Sequence, residues 1–307
     1  MANKIVFMGT PMFAVPILKS LYQNGYPISD VYTQPPQKSQ RGQKINKSPI
    51  QGIAETLSLQ FRIPKYLKDN SEEYDYFKSI EADLAIVVAY GQIIPKEFLS
   101  LTKKGFINIH ASILPKWRGA APIQRSIMNL DKETGVSVMK IAEQLDTGPV
   151  CNTYKINLEN DLNASDVAEK LSLIAAEKIL NNVDNILEDK IKFIDQDHSK
   201  ATYASKIQKA EGEINWNDKA KMIIGKINGL YPVPGAFFIY NGERYKILKA
   251  EIGKGIGKPG EIVSDYLEVV CGDKETIKIK EIQRQGKKPQ NIGEFMLGSQ
   301  IKKGAVI

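Results

Sequence analysis

Phe106-Ile107-Asn108-Ile109-His110-Ala111-Ser112-Ile113-Leu114-Pro115 sets an amide and an imidazole two residues apart at the end of an apolar run. Side chains alternate across a strand, so Asn108 and His110 share one face while Ile107 and Ile109 point to the other. The isoleucines belong to a core. The polar pair stands at the strand's exit, facing whatever binds above the sheet edge. Such a pair suits acyl transfer, because an asparagine amide donates to a developing oxyanion and an imidazole handles a proton near neutral pH. A second reading, a hydrogen-bonded core histidine beside a turn-forming asparagine, stays open on these residues alone.

Outward from this strand, short apolar runs alternate with helical patterns. Lys4 to Met8 reads as a buried strand, Thr10-Pro11 as a helix cap with proline in the first turn, and Met12 to Tyr22 as a helix closed near Asn24-Gly25. Leu84 to Ala89 is another continuous apolar run of strand length. Strands alternating with helices imply βαβ units: an α/β fold with a Rossmann-like, mainly parallel sheet, helices on both faces, and ligands at the strands' carboxyl ends. His110 would occupy that edge. Asn163 to Leu187 reads as one long helix, since Val167, Leu171, Ile174, Ala175 and Ile179 recur on one face. From Glu188 to Lys209 the chain is polar and is expected to link two domains.

Beyond the link the periodicity changes. Ala236-Phe237-Phe238-Ile239-Tyr240, then Asn241-Gly242, then Tyr245-Lys246-Ile247-Leu248 is a strong hairpin signal, because Asn-Gly supplies the positive φ values of a tight turn. Leu267 to Val270 and the alternating Thr276-Ile277-Lys278-Ile279-Lys280 add strands, so a small all-β unit closing as a barrel is expected.

The 307 residues suffice for two domains or one large one, and 42% hydrophobic with 25% charged residues is ordinary for a soluble globular protein. Residues 206 to 307 hold 18 Lys+Arg against 12 Asp+Glu, so most of the net +7 lies in that third. A basic domain beside a near-neutral one suits a polyanionic partner, although a solvated lysine surface accounts for the charge equally well. No run of about 18 apolar residues occurs, so no membrane span is expected. An apolar run begins almost at once after Met1, so no signal or transit peptide is expected. Cys151 and Cys271 are far apart and lack metal-ligand spacing, so the expected setting is a reduced cytoplasm.

Gly9 follows a first strand as a dinucleotide-binding glycine would, but Gly9-Thr10-Pro11-Met12-Phe13-Ala14 lacks the later glycines of that fingerprint, which argues against a nicotinamide or flavin cofactor. A tight strand-to-helix turn is the favoured reading. Gln34 to Ser48 carries Lys38, Arg41, Lys44 and Lys47 among Pro35, Pro36 and Gly42 without periodicity. It is expected to be a solvated basic loop, or a functional one if it lies at an active-site edge. Ile86-Val87-Val88-Ala89-Tyr90-Gly91-Gln92-Ile93-Ile94-Pro95 is a core strand that turns at Gly91. His198, in the polar link, reads as a surface histidine, and no zinc constellation can be assembled from the spacings.

The run Asn108-Ile109-His110-Ala111-Ser112-Ile113-Leu114-Pro115-Lys116-Trp117-Arg118-Gly119-Ala120-Ala121-Pro122-Ile123-Gln124 resembles the signature of the folate-dependent formyltransferases. Gln144-Leu145-Asp146-Thr147-Gly148-Pro149 and Phe7-Met8-Gly9-Thr10-Pro11 fit the same family in the same order, and the likeness runs over nearly the whole chain. The resemblance implies a catalytic set of Asn108, His110 and Asp146. It implies a folate pocket at Val88, Tyr90, Gly91, Gln92 and Ile93, at Ser112, Ile113, Leu114 and Pro115, and at the Asp146 loop. Gly9, Thr10 and Pro11 would lie near the amino-acid end of the acceptor, and Arg41 and Lys44 would reach its acceptor stem. The implied domains are a catalytic 1–188, a linker 189–208 and an OB-like 209–307 that helps hold tRNA. The implied reaction moves a formyl group from 10-formyltetrahydrofolate, without metal, to the α-amine of initiator Met-tRNA; monomeric behaviour is the default. In the implied mechanism Asn108 and protonated His110 hold the oxyanion while Asp146 keeps His110 charged and relays a proton. Whether His110 is mainly oxyanion donor or general acid stays open. A formyltransferase acting on an amino-sugar nucleotide or glycinamide ribotide would share the three residues without needing the basic barrel. A folate deformylase would direct water at the same carbon, and a noncatalytic RNA-binding protein would need no intact triad.

Overall fold

Ile5-Val6-Phe7-Met8-Gly9 forms strand β1 (Ile5–Gly9), the third strand from one edge of a seven-stranded sheet. The computed structural model describes residues 3–39 and 44–307. After β1 come α1 (Val15–Gln23), β2 (Ile28–Tyr32), β3 (Gln37–Ser39), β4 (Lys44–Asn46), α2 (Pro49–Thr56), β5 (Phe61–Arg62), α3 (Ser71–Ile80), β6 (Leu84–Val88), α4 (Lys96–Leu99) and β7 (Phe106–His110). Then follow β8 (Arg118–Gly119), α5 (Pro122–Met128), β9 (Glu133–Lys140), β10 (Val150–Asn157), α6 (Ala164–Leu187) and β11 (Tyr203–Ala204). The chain divides into two units. The first takes the residues up to Gly119, Gly135–Ile156 and Ala168–Tyr203; the second takes Ala120–Thr134, Asn157–Val167 and Ala204–Ile307.

The large sheet has the order β10-β9-β7-β6-β1-β2-β5. Pairs β2–β5, β1–β2, β1–β6 and β6–β7 are parallel, and β7–β9 is antiparallel. The chain runs outward from β1 through β2 to β5 and then returns to β6 on the opposite side of β1. Strand order therefore reverses between β1 and β6, opening a crevice at their carboxyl ends. Every residue of β1 and β6 is buried, so both faces of the sheet are covered. On one face Val6, Met8, Ala85, Val87 and Phe106 pack with Phe77 and Ile80 of α3. The Phe77 ring lies 5.5 Å from Phe106, 5.6 Å from Phe98 and 5.6 Å from Tyr32. Helices α1 and α6 are joined by Ser20 Oγ donating to the Ala176 carbonyl at 2.6 Å. α6 begins at Ala164, one residue after the expected start at Asn163, and Asn163 Oδ1 accepts from Ser165 N at 2.8 Å.

Two local expectations, the Thr10 cap and the Gln34 to Ser48 loop, change. The first helix opens with a 3-10 turn, Met12–Ala14, before α1 begins at Val15. That displacement leaves Thr10 too early to cap it, and its Oγ1 instead donates to the Tyr90 carbonyl at 2.7 Å, across the β1–β6 crevice. Gly9 is required for room rather than for positive φ: a Cβ there would meet Ala14 Cβ at 2.9 Å. Gln34 to Ser48 is not wholly loop, since β3 and β4 pair antiparallel. Backbone pairing of this kind needs no apolar period. Ser48 closes the segment by capping α2, its Oγ accepting from Gln51 N at 2.9 Å.

In the second unit α7 (Ala220–Gly229), β12 (Ala236–Tyr240), β13 (Glu243–Lys254), β14 (Glu268–Val270), β15 (Glu275–Arg284), β16 (Gln290–Asn291) and α8 (Ile292–Leu297) form an antiparallel half-barrel with its helices, consistent with an OB-like domain. The β12–β13 turn has Asn241 at φ +49° and Gly242 at φ +75°, the pair of positive values that the Asn-Gly signal requires. Register shifts around Lys249 let β13 bend against β15. Phe238, Tyr245, Ile247, Ile277 and Ile279 close its core with Ile223 and Ile227 of α7. Among the described residues no helix is long and apolar enough to cross a membrane.

Phe77→Ala removes the ring at the centre of the first unit's aromatic cluster. Denaturant unfolding of that unit should show a loss of ~3–5 kcal/mol, the usual scale for a buried Phe-to-Ala change. A loss under about 1 kcal/mol would contradict its central place.

Candidate active site

β7 delivers Asn108 and His110 to the carboxyl edge of the sheet, with Ile107 and Ile109 buried on the opposite side. His110 is itself buried and Asn108 half-buried. The chain then folds back sharply. Ser112 N donates to the His110 carbonyl at 2.9 Å, and Ser112 Oγ donates to the Lys116 carbonyl at 2.6 Å. Ser137 of β9 anchors this turn from below: its Oγ donates to Ser112 O at 2.8 Å and accepts from Leu114 N at 3.1 Å.

Trp117 then adopts φ +61°, a left-handed conformation uncommon for so bulky a side chain. Its carbonyl accepts from His110 Nε2 at 2.9 Å. A carbonyl only accepts, so Nε2 carries a proton. Two residues on, Gly119 N donates to Asp146 Oδ2 at 2.8 Å. The same Oδ2 lies 3.6 Å from His110 Nδ1, and Asp146 Oδ1 accepts from Asn108 Nδ2 at 3.3 Å. The structure thus brings Asn108, His110 and Asp146 together around one carboxylate. At 3.6 Å the His–Asp separation is longer than a hydrogen bond.

Asp146 sits between β9 and β10 and is also left-handed, at φ +53°. Two residues later Gly148 is packed so closely that a Cβ would lie 2.0 Å from the Lys140 carbonyl. Lys140 N in turn holds the loop by donating to Pro149 O at 2.9 Å.

The β1–β6 crevice holds the other expected positions. Thr10 bridges to Tyr90 O, and Gln34 reaches both, its N donating to Thr10 Oγ1 at 3.3 Å and its Nε2 to Tyr90 O at 3.4 Å. Gly9 and Val88 pair at the strand ends, and Pro11 precedes the 3-10 turn. The Tyr90 ring is buried in the core cluster, so that residue offers the crevice only its backbone. Gly91 turns the chain at φ +88°. The Gln92 amide is occupied by the fold, accepting from Leu67 N at 3.0 Å and donating to Pro64 O at 2.9 Å. Ile93 is 85% exposed, unusual for an aliphatic side chain. Ser112 and Leu114 are buried, while Ile113 and Pro115 are half-buried. Lys44 pairs through its backbone with Ser39, and Arg41 lies outside the described residues. Among the described residues no group of three His, Cys, Asp or Glu side chains is placed to hold a metal ion. Both cysteines are free thiols; burial pushes Cys151 up to about 11 and Cys271 up to about 12.

Residues 3–183 match the formyl transferase family, and residues 206–300 match the formyl transferase C-terminal domain. The chain belongs to the formyl transferase family. It is 68% identical over 307 residues to the methionyl-tRNA formyltransferase of Pelagibacter ubique, covering 100% of this chain and 99% of that protein. It is 42% identical over 305 residues to the methionyl-tRNA formyltransferase of Brucella canis, covering 98% and 99% respectively. Among solved structures, HypX from Aquifex aeolicus in complex with tetrahydrofolic acid superposes with a TM-score of 0.68 at 16% identity, covering 99% of this chain and 49% of that one. An N-formyltransferase from Helicobacter canadensis bound to folinic acid and dTDP-3-aminofucose gives a TM-score of 0.70 at 19% identity, covering 92% and 100%. These two likenesses are of fold.

Sequence reasoning passed over two residues beside the site. Among the described residues Arg118 is the largest fully buried side chain, with both Nε and Nη2 donating to Gln196 Oε1, at 3.1 and 2.7 Å. Gln196 Nε2 donates to the carbonyls of Asp146 and Gly148, at 2.9 and 2.7 Å. His198, read as a free surface histidine, is exposed but accepts from Arg118 Nη2 through Nδ1 at 3.1 Å. The position of Arg118 inside the formyltransferase-like run was the available signal. Nothing in the sequence near Gln196 marked it.

Gly148→Ala should lower formyl transfer at least ~10-fold, because the added carbon forces the Asp146 loop off the Lys140 carbonyl and sub-ångström misplacement of a reacting group is costly. Circular dichroism should remain native. Full activity in a folded variant would show that the loop tolerates displacement.

Proposed function

We propose that this protein transfers the formyl group of 10-formyltetrahydrofolate to the α-amine of methionyl-initiator tRNA, giving formylmethionyl-tRNA for translation initiation. The end-to-end identity of 68% with a methionyl-tRNA formyltransferase carries the reading. The juxtaposition of an amide, an imidazole and a carboxylate supports it chemically. The working protein is a cytoplasmic monomer, with residues 1–188 catalytic, 189–208 linking and 209–307 holding tRNA.

The amine attacks the formyl carbon in its neutral form, the new C–N bond forms, and the carbonyl electron pair moves to oxygen. Asn108 shares one amide hydrogen with Asp146 and keeps the other for that oxyanion. Trp117 O occupies the Nε2–H of His110, so the proton that His110 shares with the reacting atoms is on Nδ1, facing Asp146. In its doubly protonated form the ring opposes the negative oxygen. Asp146 accepts the amine proton, through water, and returns it to the departing folate nitrogen as the carbonyl re-forms. Folate takes the turn at Val88, Tyr90, Gly91, Gln92 and Ile93, where backbone edges and the exposed Ile93 suit a flat heterocycle, together with Ser112, Ile113, Leu114 and Pro115. Gly9, Thr10 and Pro11 bound the methionine end, and Arg41 and Lys44 reach the acceptor stem.

The second unit supplies cations for the tRNA backbone. A pocket there is lined by Lys206, Lys209 and Arg244, with Arg244 over the Phe237 ring at 3.5 Å. Burial and the neighbouring Arg244 push Lys246 below its ordinary pKa, and a phosphate relieves repulsion of that kind.

Incubation with 10-formyltetrahydrofolate and, separately, Met-tRNA, glycinamide ribotide, an amino-sugar nucleotide or water should yield formylated product only with Met-tRNA. Turnover on a small amine or on water instead would overturn the acceptor. His110→Ala, Asp146→Ala and Asn108→Ala should each lower transfer at least ~100-fold with folding intact. Near-normal turnover in any folded variant would remove that residue from the mechanism.

A further inference from the structure

Gln196 lies within the polar segment between the two matched domains, yet it is among the buried polar residues of the first unit. All of its hydrogen-bonding capacity is committed. Oε1 accepts twice from Arg118, and both hydrogens of Nε2 go to main-chain carbonyls on either side of Thr147. The amide has one workable orientation: turned over, its NH2 would face a guanidinium and its oxygen would face two carbonyls. Arg118 therefore fixes which end of Gln196 points at the loop.

That loop carries Asp146 at φ +53°, a conformation disfavoured for a residue with a side chain, which persists where surrounding contacts hold it. Gln196 grips the Asp146 carbonyl itself. Arg118 also acts through its backbone neighbours, since Trp117 O holds His110 Nε2 and Gly119 N holds Asp146 Oδ2. The guanidinium partners seen here are an amide oxygen and an imidazole nitrogen rather than a carboxylate. A buried cation that only tied down the fold would be better served by an acid. An acid in place of Gln196 would accept from Arg118 equally well, but it would have no hydrogens for the two loop carbonyls.

We infer that Arg118 and Gln196 are positioning residues for formyl transfer: Arg118 orients the Gln196 amide, and Gln196 holds Asp146 where its carboxylate meets Asn108 and His110. The inference rests on the reading of Asp146 as a reacting group. His198 completes the outer side of the guanidinium, where water can replace it, so His198→Ala should have little effect.

The test is a double-mutant cycle on the full-length protein, read as single-turnover formyl transfer from 10-formyltetrahydrofolate to Met-tRNA. Gln196→Glu keeps the volume and the Arg118 partner while replacing the two donors with an oxygen. It should lower the rate roughly tenfold or more, the scale of a small misplacement of a reacting group, in a protein that still folds cooperatively. In an Asp146→Ala background the same change should have little further effect, because residues acting through one group are not additive. Arg118→Lys, which keeps one donor for Oε1, should lose less than Arg118→Ala. A folded Gln196→Glu variant with the parent rate, or one whose loss is undiminished beside Asp146→Ala, would overturn the inference. An Asp146→Ala variant with the parent rate would instead overturn the reading of the site beneath it.

Discussion

The placement of one carboxylate governs the rest of the site. Asp146 carries no strand of its own and lies in a left-handed turn between β9 and β10. It reaches Asn108 and His110 because three separate parts of the first unit converge on it. β7 brings the amide and imidazole to the sheet edge. The Trp117 to Gly119 segment supplies a carbonyl to His110 and an N–H to the carboxylate. The stretch after α6 returns Gln196 beneath the loop. A charge held by fixed N–H groups needs little reorganisation when an oxyanion develops nearby, which is where an enzyme gains most from preorganisation.

The parallel sheet explains why these parts meet at one edge. Strand order reverses between β1 and β6, and the Thr10–Tyr90 bond spans the resulting crevice. Helices cover both faces, so the open approach to the sheet is at the carboxyl ends of the strands. The second unit is built on a different principle, an antiparallel half-barrel around its own core, and its stretch 206–307 holds 18 Lys+Arg against 12 Asp+Glu.

Elements whose period matches their burial were readable from the sequence. β1 and β6 show as continuous apolar runs because both of their faces are covered, and the Asn241-Gly242 turn shows because few residues tolerate two successive positive φ values. The shared face of Asn108 and His110 follows from strand alternation alone. Asp146 does not: a loop carboxylate has no period, and only the resemblance to formyltransferases pointed to it. The β3–β4 pairing was hidden because its bonds are made by backbone. Arg118 and Gln196 stand 78 positions apart and meet only when the chain after α6 folds back, a contact no local pattern encodes. Thr10 misled for a related reason, since a hydroxyl before a helix reads as a cap whether it bonds along the chain or across a crevice.

The central claim is that the negative charge of Asp146, not merely its shape, drives the transfer. Asp146→Asn preserves size and keeps one oxygen to accept from Gly119 N, while its NH2 replaces the oxygen that accepts from Asn108 and it cannot take the amine proton. In single-turnover transfer from 10-formyltetrahydrofolate to Met-tRNA, the account predicts a fall of at least ~100-fold with the fold unchanged. A folded Asp146→Asn protein that transfers formyl within a few fold of the parent rate would contradict it.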